Sequence, residues 1–257
     1  MLLHQIIENK TFFSNVMAFD FSNEFPITFV EFLNFSNGRD LEHMVTQRSK
    51  YLGVNVVIIT GGDSDIKTYR ANLDGITGIA VWQDPYYIGI FMKELLLKHN
   101  SKYNIFFGDC GGAYSAILAS KHAPVDTLFL CTPTINGKPT FQSNIEVNSV
   151  IFKQEIEKSI NIDKEIMDAF PILLKNIQMG VKVSMHWSKY CTGSDLYDKT
   201  RAMKIPKSFN LEITEYDMPI EMDHHLLSKW LSNTHQLRNI LQREIQYARL
   251  VLSFRNV

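Results

Sequence analysis

Apolar, β-branched and aromatic runs alternate along the chain with stretches of helical period, the pattern of βαβ units built around a mostly parallel sheet. The runs "NVMAFDF" and "ITFVEFLNF" predict two early strands, and "VNVVIIT" a strand buried on both faces. Before that buried strand, "DLEHMVTQRSKYLG" predicts a helix with Asp40 near its start and Gly53 at its end. "PYYIGIFMKELLLKHN" predicts a helix with Pro85 in its first turn and Asn100 as its stop. The strand "KYNIFFG", the helix "AYSAILASKHA" and the strand "VDTLFLCTP" follow. From about 137 to 180 the period becomes helical and amphipathic without a strand, which predicts a helical cap inserted over one side. The alternation resumes with "VKVSMHW", a short helix near "LYDKTRAMK", the strand "FNLEITEYDM" and a final helix from about Leu226 to Leu252. With no internal repeat and no Gly/Ser linker, residues 1–257 read as one domain that includes the cap.

Composition narrows the partners. Lys and Arg total 26 against 27 Asp and Glu, a net charge of -1, so no global field favours nucleic acid or an anionic surface. A small, near-neutral ligand is the expectation. No window approaches the roughly 18 apolar residues of a membrane span, and "MLLHQIIENK" lacks the basic start and cleavage site of a secretory signal. Cys110, Cys131 and Cys191 are odd in number and widely spaced, against a disulfide framework or a zinc site. A reducing, cytoplasmic setting with free thiols is expected, without a metal or tightly held organic cofactor.

The candidate chemistry begins at "NIFFGDCGGAYSAI", Asn104 to Ile117. Gly108-Asp109-Cys110-Gly111-Gly112 has the spacing of the nucleophile elbow G-x-S-x-G with sulfur in place of the hydroxyl, between an apolar strand and an Ala-rich helix. Such a turn projects its central side chain above the sheet, needs small neighbours, and places the helix N-terminus where it favours a thiolate. The plainer reading is a buried cysteine in a glycine-rich turn. Downstream, Asp195 and Asp198 follow the strand "VKVSMHW", and Asp217, His224 and His225 surround the end of the last one. A loop Asp by itself is more often a helix cap, and a loop His usually has no special role. "TGGDSD" lacks the G-K-[ST] of a phosphate loop, and His186 and Trp187 read as core or cap-facing residues.

"GDCGGA", "GSD" and "DHH", taken with the strand order, resemble the α/β-hydrolase superfamily across nearly the whole chain. The cysteine departs from the common serine and is similar to the dienelactone hydrolase variant and some cysteine-type thioesterases. A fainter resemblance is to bacterial capsular polysaccharide O-acetyltransferases of this fold. The resemblance implies an α/β-hydrolase-like sheet and a triad of Cys110, Asp195 and His225, with His224 as the alternative histidine. It also implies an oxyanion hole from the Gly111 N–H and a second N–H from Phe35 or Ser36 in "LNFSNGRD", a stretch that equally reads as an ordinary turn capped by Asp40. The activity implied is acyl transfer through an acyl-cysteine, as an ester or thioester hydrolase. Its alternative is an O-acyltransferase that carries acetyl to a carbohydrate hydroxyl, with acyl-CoA as co-substrate. A different class remains open, a catalytically silent fold used for binding. Neither the oligomeric state nor the acceptor is written in the sequence.

Overall fold

The double-sided apolar runs become the inner strands of one sheet, because only a strand covered by helices on both faces buries every residue of such a run. The computed structural model describes residues 6–14, 17–33, 40–60, 85–135, 168–218, 227, 231 and 234–255. Its strands are β1 Thr11–Phe13, β2 Met17–Asp20, β3 Ile27–Leu33, β4 Asn55–Thr60, β5 Tyr103–Asp109, β6 Thr127–Cys131, β7 Lys182–Ser188 and β8 Leu211–Tyr216. They form an 8-stranded sheet in the order β1-β2-β4-β3-β5-β6-β7-β8. Strand β2 runs antiparallel to β1 and β4, and every other pairing is parallel. The mostly parallel sheet expected from the alternation is therefore present. The three-residue β1 is an addition, too short to show a period.

Alternation along each strand divides the interior in two. In β6, Leu128 and Leu130 enter one core while Phe129 and Cys131 enter the other. The first core is covered by α2 (Pro85–Lys98), α3 (Gly111–Ala119) and α4 (Phe170–Gln178), with Ala202 of α5 (Gly193–Ala202) joining it. The second is covered by α1 (Leu41–Leu52) and α6 (Gln236–Arg255). Helix α1 has the predicted ends: the Asp40 side chain accepts from the His43 N–H, and Gly53 closes the helix at φ 64, a conformation that favours glycine.

Two expectations change. The stretch expected as a cap includes α4, whose Ile172, Leu173 and Ile177 are buried in the first core, so α4 belongs to the helical layer on the sheet. Amphipathic period shows that a stripe is buried but not against what. Residues 136–167 of that stretch lie outside the described residues. The final helix is also shorter than the run from Leu226 to Leu252. Leu227 and Leu231 are helical and buried, but a turn at Thr234 and His235, with His235 at φ 58, separates them from α6.

His186 and Trp187 of β7 are both core residues, one on each face. His186 is bonded at both ring nitrogens, to Ser184 Oγ at 2.9 Å and Tyr216 Oη at 3.0 Å. Burial pushes its pKa down from the ordinary 6.5 to about 3. Between those values the unfolded chain holds a proton that the folded chain refuses, so this stabilisation is complete above about pH 6.5 and declines as pH falls toward 3. The expected loss is roughly 3 kcal/mol by pH 4. In urea titrations from pH 7 to 4, His186→Gln should show a shallower decline than the unsubstituted protein. Parallel declines would remove His186 as the cause.

Candidate active site

Strand β5 delivers Cys110 to the edge of the sheet, and the chain reverses there at once into α3. The expected strand-to-helix position of the cysteine is thus present, between parallel neighbours β3 and β6. Cys110 caps α3 at φ 52 and ψ −117, a backbone conformation that residues other than glycine rarely adopt. The turn is tight enough that a Cβ on Gly108 would lie 2.4 Å from the Ala113 nitrogen and 2.4 Å from the Gly112 carbonyl carbon. Glycine at position 108 is thus a steric requirement, as the G-x-C-x-G spacing implied for that position. The Cys110 N–H is donated to the Cys131 carbonyl at 2.9 Å, and its carbonyl accepts from Ala113 N–H at 3.1 Å. These bonds fasten the strained residue to β6 and to α3.

The chain leaving β6 packs on the same residue. Thr132, at φ 41, donates its N–H to the His186 carbonyl at 2.8 Å, and Thr134 donates its N–H to the Cys110 carbonyl at 3.3 Å. This brings the Thr134 hydroxyl to 3.8 Å from the Cys110 sulfur. No local motif in the sequence marks Thr134; its role comes from a loop that begins on the neighbouring strand. The next residue, Ile135, donates its N–H to Asp198 Oδ2 at 2.9 Å.

Asp198 is therefore engaged as a brace of the β6 exit. Asp195 lies in the first turn of α5, inside the helix rather than in the turn before it, and is buried. It shares surroundings with Cys110, since its negative charge helps to raise the thiol pKa. Asp217, the third carboxylate, accepts from Tyr190 Oη at 2.7 Å and from Lys189 Nζ at 3.2 Å. Those contacts hold its pKa below the usual carboxylate range and tie the exit of β8 to the loop after β7. Of the predicted site residues, Cys110, Gly111 and Asp195 lie within the described residues, Gly111 opening α3 directly after Cys110 and Asp195 in the first turn of α5. His224, His225, Phe35 and Ser36 lie outside the described residues.

The expected preference for a thiolate does not hold for the resting thiol. Burial pushes Cys110 up to about 11, and Asp109 and Asp195 add to the rise. The Thr134 hydroxyl and the Gly111 N–H work in the opposite direction but do not offset it. A helix N-terminus contributes only about 0.3–1 kcal/mol at an ordinary site, less than removing a thiolate from water costs here. Cys110 is nonetheless the most accessible of the three free thiols, Cys131 and Cys191 being buried.

A mostly parallel 8-stranded sheet covered on both faces, with a strained residue at the turn after its fifth strand, defines the α/β-hydrolase fold. The chain is similar to the capsule O-acetyltransferase of Neisseria meningitidis serogroup A, with TM-score 0.58, 12% identity, and coverage of 90% of this chain and 93% of that one. It is similar to MenH from S. aureus, with TM-score 0.54, 14% identity, and coverage of 91% and 100%. A lipase-esterase related protein from Clostridium acetobutylicum aligns with TM-score 0.50 and 14% identity over 90% and 99%. The sequence matches no protein-family model and no curated protein. Among the described residues, no helix is long and apolar enough to cross a membrane.

Proposed function

We propose that this chain is an acyl-transfer enzyme that works through an acyl-cysteine at Cys110, acting as an ester or thioester hydrolase. The observation that carries the reading is the backbone of Cys110 itself. A cysteine serving only to fill space has no need of φ 52 and ψ −117, whereas a nucleophile held out from the sheet does. In this reading His225, or His224 in its place, removes the thiol proton as sulfur attacks the carbonyl carbon, and Asp195 orients the imidazole. A base is essential because desolvation pushes the partly buried thiol up to about 11. The carbonyl π pair moves to oxygen, where the Gly111 N–H and one from Phe35 or Ser36 stabilise it. Collapse expels the leaving alcohol or thiol, which takes the proton from the imidazolium. Water, deprotonated by the same histidine, then cleaves the thioester and frees Cys110.

In the transferase form of this reading, a carbohydrate hydroxyl takes the place of water and acyl-CoA supplies the acyl group. The name of the Neisseria meningitidis neighbour motivates that form. The test is incubation with a panel of acyl-CoAs and p-nitrophenyl esters, with and without carbohydrate acceptors, followed by intact-mass analysis. An acyl mass on Cys110 is expected. Turnover should fall by several orders of magnitude in Asp195→Asn and His225→Ala, by analogy with other triads, and stay within about tenfold in Asp198→Asn. Near-normal turnover in Asp195→Asn or His225→Ala would end those assignments. Absence of any acylated species across the panel would favour a silent fold used for binding.

A further inference from the structure

A thiolate has no proton to give, so any hydrogen bond it keeps must be donated to it. Donors near the Cys110 sulfur include the Gly111 N–H and the Thr134 hydroxyl, while the charges of Asp109 and Asp195 oppose an anion there. The position of Thr134 is set by the backbone. Its own N–H goes to the Cys110 carbonyl at 3.3 Å, the following N–H to Asp198 Oδ2 at 2.9 Å, and the Ile135 carbonyl accepts from Ala169 N–H at 2.9 Å. Thr134 is also buried, and its β-branched side chain has few rotamers to choose from. The hydroxyl is thus held 3.8 Å from sulfur by contacts to three separate segments.

We propose that Thr134 is the positioning residue for the Cys110 thiolate. In the resting thiol either partner donates. When the S–H bond breaks and its proton leaves with the base, the electron pair stays on sulfur and the Thr134 hydroxyl donates to it. In a buried setting such a bond is stronger than in water. The role serves the acyl-transfer reading of Cys110, but its test needs no substrate.

The experiment is the pH profile of Cys110 alkylation by iodoacetamide, read by peptide mass, in the full chain and its variants. Thr134→Val keeps the shape and removes the hydroxyl. Its profile should move upward by about one pH unit or more, leaving about tenfold less thiolate at a given pH. Thr134→Ser keeps the hydroxyl and changes the shape, and should lie within about twofold of the unsubstituted protein. The reverse pattern, with Val silent and Ser shifted, would show that packing matters and overturn the proposal, as would a folded Val variant with an unchanged profile. If circular dichroism shows that Thr134→Val does not fold, Thr134→Ala makes the same removal with the same expected shift. A shifted profile in a protein that never acylates keeps the Thr134 role and removes the acyl-transfer reading. An unshifted profile in a protein that does acylate removes only the Thr134 role.

Discussion

Gly108→Ala is expected to lower the stability of the protein by at least about 3 kcal/mol, at the upper end of overpacking costs. The added Cβ would meet the Ala113 nitrogen and the Gly112 carbonyl carbon at 2.4 Å and the Ala113 Cα at 2.5 Å. All three are backbone atoms, so no flexible side chain can swing aside. Neither partner can retreat: β5 is paired with β3 and β6, and every residue of α3 is buried. For a chain of this size a loss of that order lowers Tm by roughly 6 °C or more. It should also move the urea midpoint down at unchanged slope. A Tm within about 2 °C of the unsubstituted protein would mean that the elbow is looser than these distances describe.

The second large effect concerns Cys110, and it has two readouts that move independently. Cys110→Ala is expected to lower acyl transfer by about 10³-fold or more, leaving only what the oxyanion donors and binding provide. Cys110→Gly should lose as much. In stability, however, glycine should exceed alanine by about 1 kcal/mol, reversing the usual order in strands and helices. The reason is the φ of 52 at this residue, which penalises any L side chain and spares glycine. Thermal unfolding of the two variants side by side makes the comparison. Retained turnover in Cys110→Ala would remove the cysteine from the reaction, and a glycine variant less stable than the alanine variant would remove the strain.

What could be read beforehand divides along the range of the interactions involved. The strands from "VNVVIIT" and "KYNIFFG" were legible because an apolar run with turn residues at its ends carries its own signal, and the elbow because glycine spacing and flanking elements are local. The ends of α1 were legible for the same reason, since Asp40 and Gly53 act on their own helix. Thr134 and Asp198 were not. Each acquires its task from a residue on another element, Cys110 in one case and Ile135 in the other, and no spacing within the chain encodes that meeting. The break at His235 was hidden inside a run whose apolar period continues on both sides of it.

The bond from the Cys110 N–H to the Cys131 carbonyl has a consequence for how the molecule is made. The elbow cannot be secured by β5 and α3 alone, because the partners of Cys110 include Cys131 and Thr134, which leave the ribosome later. Until β6 has emerged and docked, the nascent segment through Ala119 has no reason to keep an unfavourable backbone conformation, and Cys110 there is an ordinary flexible thiol. Synthesis therefore passes through an interval in which Cys110 is present without the later partners that hold its backbone.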